Sequence, residues 1–214
     1  MEAINVIRHL RVESESTEKL CAIYLDSFPS YERADFSFLV ESIAAGERWL
    51  FTATRDDSLL GFAILVPRIA REIHLLEYLA VARNARSAGI GGRLLDGVRA
   101  AIRDAQSARG ILLEVEHDAE GAADERAVRA RRLAFYLRHG ARVIDDAPNY
   151  RVPLMDRAGT MRMKLLWLPV TADADAPRGE ALRACIAEIL RKSYGVAASD
   201  EIRRLPREKP AEQV

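Results

Sequence analysis

The first residues to show a pattern are 3–10 (AINVIRHL), an apolar stretch of imperfect alternation that predicts a strand. Over 15–27, Leu20, Ile23 and Tyr24 fall on one helical face, and glutamates occupy the first turn. Phe28-Pro29 stops that helix, because the residue before a proline is pushed out of the helical region. A second helix is predicted over about 34–45, with Phe36, Leu39, Val40 and Ile43 as its stripe and Gly46 as its cap. Residues 48–54 and 59–66 read as two strands joined by the turn-rich Arg55-Asp56-Asp57-Ser58. Residues 73–81 (IHLLEYLAV) are almost wholly apolar, as a strand covered on both faces should be.

A strong amphipathic helix follows over about 90–105, carried by Ile90, Leu94, Leu95, Val98 and Ile102. Beyond it come a strand at 111–116, a helix at 124–139 ending at Gly140, a short strand near 141–145 and a last strand at 161–170. A final helix carries Leu182, Cys185, Ile186, Ile189 and Leu190 on one face. The tail from about Arg204 is charged and expected to fray. Hairpins mixed with strand–helix–strand units predict an α/β (α+β) fold, a mixed sheet of about seven strands with helices on both faces. One domain is expected over 1–172. Residues 173–214 read as a helical extension and a flexible tail.

Charge changes this picture little at first. The chain has 214 residues, with 32 Lys+Arg against 32 Asp+Glu and a net charge of zero. No global field draws it to nucleic acid or to an anionic membrane, so neither is expected as a partner. Locally the charges separate. Arg83, Arg86, Arg93 and Arg99 gather on one loop and helix, and Glu114, Glu116, Asp118 and Glu120 on the neighbouring strand end. Two distant cysteines make no disulfide framework, and the four histidines form no ligand pair, so no metal site is expected. The first ten residues lack the apolar core of a signal peptide, and a cytoplasmic setting is expected.

The sharpest chemical signal is Arg86-Ser87-Ala88-Gly89-Ile90-Gly91-Gly92-Arg93, set between the apolar strand and the amphipathic helix. Glycines let the backbone approach a ligand closely, and the helix start offers unpaired N–H groups and partial positive charge. Together these make a phosphate cradle, which Arg86 and Arg93 can supplement. No Gly-Lys-Ser/Thr follows, and Leu94 stands where a dinucleotide fingerprint needs its third glycine.

Leu79-Ala80-Val81, four residues, then Arg86-x-x-Gly89-x-Gly91 resembles the coenzyme A signature of the GNAT acyltransferase superfamily. Ala134-Phe135-Tyr136-Leu137-Arg138-His139-Gly140-Ala141 resembles a second family segment, with Ala141 where phenylalanine is usual. The resemblance covers roughly residues 3–170. It implies a splayed sheet with acetyl-CoA wedged between strand 73–81 and strand 111–116. Leu79, Ala80 and Val81 would then meet the pantetheine arm, and residues 86–93 the pyrophosphate. The implied activity is acetyl transfer to a primary amine by direct attack, with a small-molecule acceptor as the first reading. A non-catalytic acyl-CoA-binding module and a protein lysine or N-terminal acetyltransferase are the alternatives, and a homodimer is left open.

Strict alternation along 73–81 puts Ile73, Leu75, Glu77, Leu79 and Val81 on one face, with Glu77 the only charge. A carboxylate desolvated among aliphatics suits a base near neutral pH. The alternative is a buried glutamate paired with an arginine. The resemblance implies that Tyr136 is the acid that protonates the leaving thiolate. It also places the connection holding Glu32 and Arg33 beside the acceptor. Glu114 and Glu116 share one face of the next strand and could line the same cleft. Tyr150 and Pro153 sit in the crossover before the last strand, where they could cover it.

Overall fold

The computed structural model describes residues 4–196, so the charged tail from about Arg204 lies outside the described residues. The elements run β1 (Asn5–His9), α1 (Ser14–Ser27), α2 (Phe36–Ala44), β2 (Trp49–Arg55), β3 (Ser58–Ala70) and β4 (Ile73–Val81). They continue with α3 (Ile90–Asp104), β5 (Gly110–Glu116), α4 (Ala123–Arg138), β6 (Arg142–Val143), β7 (Arg151–Pro153), β8 (Thr160–Pro169) and α5 (Gly179–Tyr194). The sheet has eight strands rather than about seven. The extra one is β7, three residues long, too short to leave a periodic trace in the sequence.

Neighbours run β1-β2-β3-β4-β5-β8-β6, with β7 pairing the outer part of β8. Contacts are antiparallel except between β4 and β5. That parallel step needs a crossover, which α3 supplies. Alternation on β5 sorts the core into two layers. Ile111, Leu113 and Val115 pack with α3 residues Leu94, Leu95 and Val98. Leu112 faces the other way, towards Cys185, Ile186 and Ile189 of α5. Leu20 and Tyr24 of α1 and Leu39 of α2 cover Phe62 and Ile64 on that same second face. The final helix therefore packs on the sheet along the full stripe the sequence outlined, with Cys185, Ile186, Ile189 and Leu190 wholly buried.

One irregularity sets where the sheet opens. Along β3 and β4, Ile64 faces Tyr78 but Leu65 faces Leu76, so Glu77 is an extra residue in a β-bulge. The bulge breaks the strict alternation expected of 73–81. Ile73 and Leu75 join the α5 layer, whereas Leu79 and Val81 pack against the α3 layer. It also ends the parallel pairing. Strand β4 bonds β5 from Ile73 to Leu76 only, opposite Gly110 to Leu113, and the two strands part beyond that point.

Candidate active site

The parting of β4 from β5 leaves a row of backbone groups facing the gap. Ala82 N–H donates to the Leu60 carbonyl at 2.8 Å, and the register then sets Ala80 opposite Phe62 and Tyr78 opposite Ile64. In an antiparallel pair the bonded positions alternate. Leu79 and Val81 therefore turn their N–H and C=O groups away from β3, towards the gap. The Val81 carbonyl accepts from Arg86 Nε at 3.1 Å.

At the end of β4 the chain makes one turn of 3-10 helix, Arg83–Ala85, and enters α3 through Gly89 in the left-handed conformation, φ +75°. Residues 86–89 are exposed, so the free N–H groups of the first α3 turn open outward. Gly92 is demanded by packing, since a Cβ there would sit 2.5 Å from the His139 ring at the end of α4. Of the loop arginines, Arg83 and Arg86 both pair with Asp26 of α1, and Arg93 is exposed. Arg99 does not serve the loop. It donates to the carbonyls of His139 and Pro169, tying α4 to β8.

The gap widens into a cleft of about 200 Å³, lined among others by Glu32, Leu79, Glu114, Phe135 and Tyr136. Met155, Met161 and Met163 give it a soft apolar wall. The connection between α1 and α2 roofs it. Tyr78 of β4 takes the Ala34 N–H at 3.1 Å and donates to the Glu32 carbonyl at 3.3 Å, and Met155 N–H donates to the Tyr31 carbonyl at 2.9 Å.

Glu77 lines this cleft but is not a lone charge. Arg48 grips both its oxygens, Nε to Oε2 at 2.7 Å and Nη2 to Oε1 at 2.9 Å, and both side chains are buried. Of the two readings of Glu77, the structure shows the buried glutamate paired with an arginine, and this bidentate pair occupies both oxygens that an unpaired base would need free. Glu116 is likewise spent. Arg129 and Arg132 bond its two oxygens at 2.9 and 2.6 Å, away from the main cleft. Arg33 points to the Leu25 carbonyl at 3.4 Å rather than inward. Asp118 pairs with Lys164, so the acidic strand end of the sequence is largely neutralised.

Two carboxyl groups remain. Glu114 is held by two phenols, Tyr150 Oη at 2.5 Å and Tyr194 Oη at 3.2 Å, with no cation bonded to it among the described residues. Burial pushes its pKa up to about 7, outweighing the lowering effect of both hydrogen bonds. Glu32 is also raised, first by burial and then by the charge of Glu116, against the pull of Arg132. Its Oε1 is buried without a partner among the described residues. Tyr136 is buried too, and its phenol is pushed up to about 12, so it holds its proton at neutral pH. His74, by contrast, is fully buried outside the cleft, accepting from Arg68 N–H at 3.0 Å.

The sequence reading brought Glu32, Glu77, Leu79, Glu114 and Tyr136 to this cleft. It missed Arg48 and Tyr194. Tyr194 had a signal, because it continues the α5 stripe one turn past Leu190. Among the described residues no cluster of three metal-ligating side chains occurs, and no described helix is long and apolar enough to cross a membrane.

Residues 46–140, from the end of α2 to the end of α4, match the sequence model of the Acetyltransferase (GNAT) domain. No curated protein matches the chain. Solved structures do. A Bacteroides thetaiotaomicron protein assigned to the GNAT acetyltransferases superposes with a TM-score of 0.68 at 22% identity, covering 89% of this chain and 99% of that one. An aminoglycoside 6'-N-acetyltransferase complexed with coenzyme A gives 0.60 at 17%, covering 80% and 99%. The Escherichia coli ribosomal-protein-S18-alanine N-acetyltransferase gives 0.54 at 16%, covering 82% and 99%. At such identities these likenesses speak for the fold. The domain match assigns residues 46–140 to the acetyltransferase (GNAT) domain, and the structural likenesses give the described chain the GNAT fold.

Proposed function

We propose that the protein transfers an acetyl group from acetyl-CoA to the primary amine of a small molecule. The observation that carries this is the cleft itself. One end borders the backbone of Leu79 and the N–H of Val81, both turned away from β3, and the other holds a carboxyl group with a pKa near neutrality and a protonated phenol. The coenzyme supplies an activated thioester. Its pantetheine arm would bond Leu79 and Val81 as an added strand, with Ala80 between them. Its pyrophosphate would rest on the N–H groups of residues 86–92 at the start of α3, with Arg86 and Arg93 alongside. The coenzyme A complex of the aminoglycoside acetyltransferase of the same fold supports this seat.

The chemistry divides between two side chains. Glu114, as carboxylate, takes the proton that the acceptor's ammonium must lose before its nitrogen can attack. Tyr136 donates its phenolic proton to the thiolate that leaves. Its raised pKa keeps that proton on the phenol at neutral pH until the thiolate forms. Glu32, which lines the same cleft with a buried unpartnered oxygen, would hold a cationic part of the acceptor. A small acceptor is favoured because the strand end that would attract a basic peptide has spent its acids on Arg129, Arg132 and Lys164.

The test is thiol release from acetyl-CoA with a panel of primary amines: an aliphatic diamine, an arylalkylamine, an aminoglycoside and an alanine-initiated peptide. Amine-dependent release and an acetylated small amine are expected. Coenzyme binding with no release on any amine would make the protein a binding module instead, and release on the peptide alone would move the acceptor to protein.

A further inference from the structure

We propose that α5 completes the catalytic site, its last turn supplying Tyr194 as the residue that positions Glu114. This rests on reading Glu114 as the base. The helix lies outside residues 46–140, yet Ser193 and Tyr194 of its last turn line the cleft. Tyr194 Oη donates to Glu114 Oε2 at 3.2 Å while Tyr150 Oη, from the crossover between β6 and β7, donates to Oε1 at 2.5 Å. One phenol on each oxygen fixes the plane of the carboxyl group. Each oxygen keeps a second lone pair for the acceptor's proton.

The turn that carries Tyr194 is itself pinned. Arg48 Nη2 donates to the Lys192 carbonyl at 3.1 Å, and Lys192 Nζ to the Arg68 carbonyl at 3.2 Å. Gly195, with φ +66°, ends the helix immediately afterwards. The buried stripe from Leu182 to Leu190 holds the rest of the helix on the sheet. Burial and the nearby Glu114 charge raise Tyr194 well above the usual phenol, so it is a donor at any working pH. The groups around Glu114 are Tyr150, Tyr194 and Glu77 of β4, the last paired with Arg48, while Leu165 of β8 opposite is apolar. Of these, the two tyrosines favour the charged carboxylate and Glu77 opposes it.

The experiment is a carboxyl-carbon NMR titration of Glu114 in the full chain, comparing wild type with Tyr194→Phe. It needs no acceptor. Losing a donor to the carboxylate should move the midpoint to higher pH, by about half a unit or more. The acidic limb of kcat/KM should move with it for whichever panel amine turns over. A merely structural tyrosine would lower the melting temperature and leave the midpoint in place. An unmoved midpoint in the folded variant overturns the proposal. Should Tyr194→Phe fold poorly, 3-fluorotyrosine at position 194 keeps the ring and hydroxyl but donates more strongly to Glu114 Oε2 and should move the midpoint to lower pH, and an unmoved midpoint there overturns the proposal equally. Full turnover by Glu114→Gln strikes the base assignment instead, so the two failures are distinguishable.

Discussion

Glu114→Gln is expected to lower kcat/KM by about 10²- to 10³-fold while coenzyme affinity stays within a few-fold, the usual size of a lost general base. The pH profile is the sharper readout. A base with its pKa up at about 7 is competent only once deprotonated, so wild-type kcat/KM should rise with pH through about 7. Glutamine cannot titrate, and that limb should vanish, leaving the acceptor's own ammonium to set any rise at higher pH. Unfolding would not explain the loss. The folded state binds the Glu114 proton more tightly than the unfolded chain, whose glutamates titrate near the ordinary value of 4.5. Between those two values stability falls as pH rises, because the desolvated charge must form inside the protein. The neutral glutamine escapes that cost, so the variant should melt no lower than wild type at pH 8. Turnover within a few-fold of wild type, with the limb intact, would remove Glu114 as the base.

Arg48→Met carries the largest expected cost in stability. Arg48 and Glu77 are almost fully enclosed, at 2% and 6% side-chain exposure. Removing the guanidinium leaves a carboxylate buried without its partner, a change that costs about 3–5 kcal/mol. For a chain of this size that lowers the melting temperature by about 6–20 °C. The double variant Arg48→Met/Glu77→Leu removes both charges and should recover most of the loss, because the pair repays little more than its own desolvation. It also addresses the rival base. If Glu77 is spent on Arg48, the limb near neutrality persists in the double variant. Equal destabilisation of the single and double variants would contradict the account of this pair.

Much of the fold was legible because the signals were local. The α3 stripe, the Phe28-Pro29 stop and the glycine-rich loop each depend on residues a few positions apart. What escaped depends on partners far along the chain. Period-two reasoning placed Glu77 on the face of Leu79 and Val81. A single bulge, set by how β3 pairs with β4, turns it instead towards Arg48, 29 residues earlier. Tyr194 meets Glu114 across 80 residues. No spacing rule could have joined them, although the α5 stripe already pointed at position 194. Similarly, Glu116 looked like an acceptor contact on alternation alone. Its two arginines come from one face of α4, three residues apart, and only the packing of α4 on β5 brings them over it.

The gap where β4 leaves β5 is the proposed seat of the coenzyme. Amide-resolved hydrogen exchange, with and without coenzyme A, tests it most directly. The Leu79 and Val81 amides face that gap in the free protein, and the amides of residues 88–92 are exposed or open the first turn of α3. The account predicts that coenzyme A slows exchange at Leu79, Val81 and residues 88–92, while Ala80, already bonded to β3, changes little. Protection that leaves Leu79 and Val81 untouched and appears elsewhere on the chain would contradict it.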